Sequence, residues 1–288
     1  MSKARKTAAY SLYILGVTLF SLYVLFPSDT LRTYTEHMVA EISPEITLDI
    51  QRIDPGIPPG IFFSNALIRL GEKPVVHFDQ GRITPSYRSM AALRPSGNFS
   101  VQFAGGEMNG VIGARSGKGN RMLGGEVFLS GVDIGQIPLL GLLYPARFSG
   151  KLNGEIVYEA QAGEPERMDG NGSALLTVTG LEVELDDDLM GMGAFSFSRV
   201  SAEIEIKGGQ IMINRFEMEG TQFSATGKGT LLPGQPFESS RINLTGAIQV
   251  HPELMRRFGS FIPRQHLRNG ELPVRISGTL ANPRYTLR

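Results

Sequence analysis

The residues able to do chemistry are few and scattered along the chain. Four histidines, His37, His77, His251 and His266, lie far apart, and none has a second ligand at a metal-binding spacing. Neither a His-Glu-x-x-His helix motif nor a Gly-x-Ser-x-Gly nucleophile elbow occurs. Gly117-Lys118-Gly119 and Gly227-Lys228-Gly229-Thr230 have the look of a phosphate loop but fail its pattern. Ile112 and Gln222 stand where the upstream glycine belongs, and a glycine follows each lysine where a magnesium-binding hydroxyl is needed. Tight turns are the expected setting for both. Asp186-Asp187-Asp188 offers carboxylates to a cation such as calcium, but an isolated acidic triplet lacks the remaining ligands, and a solvated hairpin tip accounts for it. The chain has no cysteine, which excludes disulfides, thiolate catalysis and Cys-ligated zinc. No catalytic, cofactor-binding or metal-binding residue is therefore assigned, no cofactor is expected, and the protein is expected not to be an enzyme.

The elements that would position any site are more legible. The 28 basic and 28 acidic residues balance, which removes the electrostatic case for nucleic-acid binding. Lys3, Arg5 and Lys6 are the only charges before residue 28, so the remainder is mildly acidic. Thirty-five Gly and 17 Pro suit many short strands and turns rather than a helical bundle.

Ala8 to Phe26 contains no charge over 19 residues. As a helix it would extend roughly 28 Å, close to the hydrocarbon thickness of a bilayer. Tyr10, Tyr13 and Tyr23 lie towards its ends, where aromatic rings favour the interface. A cleaved signal peptide would have a shorter apolar run and a small-residue cleavage site, whereas Leu25-Phe26-Pro27-Ser28 offers none. The expectation is a single-pass anchor over 8–27, with 1–7 as a cytoplasmic tail and the rest outside the cytoplasm. A connecting helix is expected over 28–44, capped by Ser28 or Asp29 and presenting Leu31, Tyr34, Met38 and Ile42 at helical spacing. This helix could lie along the membrane surface.

From residue 45 to 288 a period-two alternation dominates. Ile46, Leu48 and Ile50 open it; Phe99, Val101 and Phe103, then Val127 and Leu129, continue it. Phe148 to Tyr158, Leu176 to Leu185, Val200 to Ile206, Ile211 to Met218, Phe223 to Leu231 and Ile242 to Val250 follow, with Val274 to Leu280 as the last strand. Such alternation marks antiparallel strands with one buried and one wet face. The fold expected is mainly β: a curved antiparallel sheet with few short helices, preceded by one N-terminal transmembrane helix. Ten strands at about 4.8 Å would extend roughly 48 Å. Val132–Tyr144 and Pro252–Phe258 read as helical interruptions, either plugging an open edge or packing on the sheet surface. Leu189-Met190-Gly191-Met192-Gly193 is apolar at an expected loop; contact with lipid or a partner and burial under the sheet both fit.

Two stretches carry a family resemblance. Phe148-Ser-Gly-Lys-Leu-Asn-Gly-Glu-Ile156 and Ile276-Ser-Gly-Thr-Leu-Ala-Asn-Pro-Arg-Tyr-Thr-Leu287 resemble the strand-and-glycine phrasing of AsmA-like proteins. The short length, single anchor, Val132–Leu143 segment and Phe223–Pro233 strand resemble the N component of the type II secretion system (GspN). The resemblance implies a non-enzymatic accessory subunit of a secretion machine in the bacterial inner membrane, its β domain in the periplasm. Its implied partners are the membrane and other secretion-system subunits, with no nucleic acid. AsmA-like relatives imply the alternative, a lipid-binding or lipid-transfer protein holding acyl chains on a concave apolar sheet. The lipid reading requires an apolar groove open to solvent; the assembly reading requires a closed core with exposed edges. Alternation looks the same in either case.

Overall fold

The computed structural model describes residues 3–42, 46–57, 59–86, 89, 96–116, 121–143, 146–161, 170–189, 192–234, 239–258 and 270–287. Two helices come first, α1 (Lys3–Val24) and α2 (Ser28–Ile42). Six strands follow: β1 (Ile46–Gly56), β2 (Gly60–Leu70), β3 (Lys73–Pro85), β4 (Ser96–Phe103), β5 (Gly106–Ser116) and β6 (Arg121–Asp133). A 3₁₀ turn (Ile134–Gln136) and α3 (Pro138–Leu143) interrupt the series. It resumes with β7 (Ala146–Gln161), β8 (Asn171–Leu189), β9 (Met192–Lys207), β10 (Gln210–Gly220), β11 (Phe223–Leu232) and β12 (Arg241–Val250). Helix α4 (Pro252–Phe258), β13 (Glu271–Thr279) and β14 (Pro283–Leu287) complete it.

All fourteen strands belong to one antiparallel sheet, and each pairs only with its neighbours in sequence. Tight turns enforce this order. Gly208 and Gly209 both adopt positive φ between β9 and β10, which a type I′ hairpin turn demands and glycine supplies without strain. Among the described residues β1 and β14 stand at opposite ends of the strand order and do not pair with each other, so the ladder is open. The expectation of a mainly β, curved antiparallel sheet with few short helices holds. The strand count rises from ten to fourteen, and β14 rather than β13 is last.

Helix α1 is continuous from Lys3 to Val24, so it takes in part of the expected tail and stops short of Phe26. Its described apolar side chains are exposed, Leu12 at 72%, Ile14 at 63% and Phe20 at 69%. Among the described residues, no helix is long and apolar enough to cross a membrane.

Helix α2 lies against β1. The Leu31 N–H donates to the Pro27 carbonyl at 3.0 Å, so Pro27 rather than Ser28 or Asp29 holds the capping position. The expected apolar face is also rotated. Tyr34 and Met38 are exposed, while Leu31, Arg32, Thr35, Glu36 and Val39 are half-buried. The Glu36 carboxylate accepts the Ile50 N–H at 3.1 Å. That amide belongs to the free edge of β1, and covering it blunts pairing with a foreign strand. Glu36→Ala should lower stability by about 1 kcal/mol. It should also speed hydrogen exchange at the Ile50 amide selectively; unchanged exchange there would refute the edge-covering role.

Two motifs sit elsewhere than expected. Gly227-Lys228-Gly229-Thr230 is not a turn but the middle of β11, with Gly227 paired to Gly246 and Gly229 to Leu244. Asp186-Asp187-Asp188 forms the last stretch of β8 rather than a hairpin tip, the hairpin closing through Leu189 and Met192. Gly117-Lys118-Gly119, His266, Pro44, Tyr144, Gly191 and Gly259 lie outside the described residues.

Candidate functional site

Ladder register and alternation together sort every strand's side chains onto two faces. One row runs straight across the sheet through Ile53, Phe63, Gly81, Val101, Met108, Leu129 and Gly154. It continues through Leu176, Ala202, Phe216, Gly227, Gly246, Val274 and Leu287. Each of the fourteen strands contributes one residue, and none is polar. The next row on the same face carries a single polar group, the Tyr285 hydroxyl at its end. It begins Pro55, Ile61, Ile83, Phe99 and ends Leu244, Ile276, Tyr285. Thirteen steps of about 4.8 Å carry such a row roughly 62 Å along a flat sheet.

The opposite face is wet. One of its rows reads Asp54, Phe62, Arg82, Ser100, Asn109, Phe128, Glu155, Leu175, Glu203 and Arg215. Cross-strand pairs tie it together, among them Gln80 to Gln102 at 2.7 Å and Arg147 to Glu184 at 3.5 Å. Arg82 stacks over the Phe62 ring at 4.9 Å. Such exposed pairs add little stability each. Their consequence is that this face offers water hydrogen-bonding groups that its counterpart lacks.

The apolar face has only a partial roof. Fully buried apolar side chains gather in three clusters, at Ile50/Ile53/Ala66, at Phe103/Ala104/Val132 and at Ile134/Leu181/Phe197. The segment 134–143 fills the last two. Ile137 packs beside Phe103 and Val132, and Leu140 against Leu181 and Phe197. Helix α3 touches both β3 and β7, which are four strands apart, as a sheet curled towards its apolar face requires. Of the two sequence readings of this segment, packing on the sheet rather than plugging an open edge is the one observed. Away from it the same face is open: Ile112 is 56% exposed, Leu123 48% and Ile83 44%.

Aromatic side chains pair with glycines across this face. The Phe63 ring lies over Gly81, leaving no room for a Cβ there, and Phe99 Cζ would sit 2.6 Å from a Cβ at Gly110. A ring laid along the sheet does not stand into the space above it. Glycine opposite an aromatic therefore keeps the face low and smooth.

The candidate polar groups do not converge. His37 pairs with Glu41 at 3.5 Å and His77 with Asp79 at 3.6 Å, both at exposed positions. Among the described residues, no group of three or more His, Asp or Glu could hold a metal ion. One constellation was not foreseen. Ser224 Oγ lies 3.1 Å from His251 Nε2, and His251 Nδ1 lies 3.0 Å from the Thr221 carbonyl oxygen. The carbonyl can only accept, so Nδ1 carries the proton and Nε2 accepts from Ser224. This is the order of a nucleophile, a base and an orienting group. Ser224 pairs with Gln249 and so points to the polar face, and the His251 N–H is spent on the Gln222 carbonyl. The trio pins β11 to the start of α4.

Fold and face together define a class: an open single-sheet β protein with one polar face and one apolar face left partly uncovered. Comparison with family models, with curated proteins and with solved structures finds no match.

Proposed function

We propose that the apolar face holds acyl chains and that the protein binds or transfers lipid. The observation carrying this reading is the unbroken apolar row across the fourteen described strands, with no second layer of described residues over most of it. Ile83, Ile112 and Leu123 are open to water on that face, and exposed apolar surface of this kind is a mark of a binding site. An acyl chain suits it, being apolar, extended and free of groups needing a hydrogen-bond partner. Burying about ten methylenes would contribute roughly 8 kcal/mol before association costs are subtracted. In this reading the membrane anchor is the uncharged run 8–26 as a whole, which is longer than the part of it that α1 covers. Its support is the uncharged run from Ala8, the preceding basic residues and the exposure of its apolar side chains. The sheet would then stand on the periplasmic side of a bacterial inner membrane.

Assembly with other secretion-system subunits is the second reading, implied by the resemblance to the N component of the type II secretion system. One observation favours it. Arg284, Tyr285, Thr286 and Leu287 of β14 are all exposed, and among the described strands β14 pairs only with β13, which suits edge-to-edge addition.

A photoreactive residue separates the two. Placed at Met108 on the apolar face of the full chain in its native membrane, it should capture lipid; at Glu155 on the polar face it should not. Equal capture at both positions, or protein but no lipid at Met108, would sink the lipid reading.

A further inference from the structure

Arg82, on the polar face of β3, stands directly opposite Ser100, with Asn109 next in the same row. Its guanidinium lies over the Phe62 ring at 4.9 Å, which limits where the group can swing. Arg82 Nε is shielded from solvent, and among the described residues it has no hydrogen-bond partner. The carboxylates closest by register are engaged elsewhere. Asp54, two strands away in that row, pairs with Arg52 at 2.7 Å, and Glu107 accepts the Ser100 hydroxyl at 2.9 Å. A stranded donor on a charged group is costly unless an acceptor reaches it. Beside it lies an open recess of about 710 Å³, lined by Arg82, Thr84, Asn98, Ser100, Asn109 and Val111. Thr84 and Asn98 face each other in the adjoining row. Their hydroxyl and amide, with the Asn109 amide, supply neutral donors, and no described carboxylate lines the recess.

We propose that this recess binds a phosphodiester. The Arg82 fork takes the two unesterified oxygens, a bidentate geometry that a planar guanidinium matches. Strands lie about 4.8 Å apart, so a phosphate seated over Ser100 and Asn98 is in reach of Arg82 on one side and Asn109 on the other. Charge sets the class of ligand. One cation matches one negative charge, and Glu107, beside Ser100, would repel a second. A lone carboxylate would leave most of the recess empty, whereas the ester arms of a phosphodiester extend into it on both sides. The group occurs in phospholipid headgroups and in soluble glycerophosphodiesters alike. The site is independent of the opposite face and stands whether or not acyl chains lie there.

The test uses the full chain in maltoside micelles, which carry no phosphate. The sequence has no cysteine, so a nitroxide can be attached singly through Glu126→Cys, a position opposite Val111 on the polar face. Paramagnetic broadening of the phosphorus NMR signal reads binding of two probes, soluble glycerophosphoglycerol and phosphatidylglycerol added to the micelles. Arg82→Gln should cut the broadening by about ten-fold, through loss of a charged hydrogen-bond donor. Arg82→Lys should recover only part of it, because an ammonium lacks the fork. Asn109→Asp leaves Arg82 in place and should abolish binding by repulsion. Broadening of the soluble probe shows that the diester alone is recognised; broadening of the lipid alone makes a membrane headgroup the source. Broadening unchanged by Arg82→Gln or by Asn109→Asp, no broadening of either probe, or displacement by an equal concentration of acetate would overturn the site. None of these outcomes bears on lipid capture at Met108, so the two readings fail separately.

Discussion

Replacing Ile112 by glutamate should reduce co-purified lipid by roughly ten-fold or more, a loss of about 1.4 kcal/mol in affinity at the least. Leu175→Glu should leave it unchanged. The two positions form a matched pair, since both side chains are 56% exposed and both lie within strands. Equal exposure means that a carboxylate meets water equally well in either place, so the desolvation cost should be small in both. At 175 the facing Glu155 and Glu203 add a repulsion of roughly 0.2–1 kcal/mol per pair, which works against that control and not in its favour. They differ in face. Ile112 pairs with Gly97 and Gly125 on the apolar side, whereas Leu175 pairs with Glu155 and Glu203 on the polar side. A charge at 112 stands where an acyl chain would lie; a charge at 175 joins carboxylates already in water. Quantitative lipid mass spectrometry of both proteins, purified identically, reads the outcome. Equal lipid content in the two would remove the case for an occupied apolar face.

The largest effect on the fold is expected at Val132, whose side chain is entirely shielded at 0% exposure. It marks the point where β6 leaves the ladder for the 3₁₀ turn. The neighbouring Asp133 fixes that departure. Its N–H donates to the Ala104 carbonyl at 2.8 Å, and its Oδ1 accepts the Gly135 N–H at 3.0 Å. Val132→Ala should lower stability by about 2–3 kcal/mol through lost contacts and a small cavity. Val132→Asp should prevent folding of this region, since an unpaired carboxylate in that cluster costs several kcal/mol. Limited proteolysis of the full chain gives the readout, with rapid cleavage expected around 132–143. Protection equal to the unsubstituted protein would refute the packing described for the 3₁₀ turn and α3.

Much of the sheet is readable from alternation, and the strands it misses have physical causes. In β2, Phe63 and Ala66 share the apolar face because Asn65 takes a φ of 50° and flips the phase there, while the ladder to β1 keeps its register. A strict period of two passes over such a strand. In β5 the apolar face reads Gly106, Met108, Gly110, Ile112, so half of its positions carry no side chain to be counted. Strand β14 has five residues, too few to show a period. Helix α2 is found, but its buried face is set by the β1 edge, which draws Arg32 and Glu36 inward and leaves Tyr34 and Met38 outside. The apolar face itself is less legible. A residue facing a groove and one facing a closed core have the same type and spacing. Whether a second layer covers them depends on contacts between distant parts of the chain.

Because every strand lies beside its sequence neighbours, the sheet is close to one-dimensional. No strand waits for a partner made much later, so the sheet can grow hairpin by hairpin as the chain is made. Its length is also countable. Two strands with in-phase apolar rows add or remove roughly 10 Å of apolar track. The rows on either side need not change, as in stacked-repeat proteins where each unit meets only the next. Reach along the apolar face is therefore set by the number of hairpins, and chains of this design could differ in span by whole hairpins without a new fold.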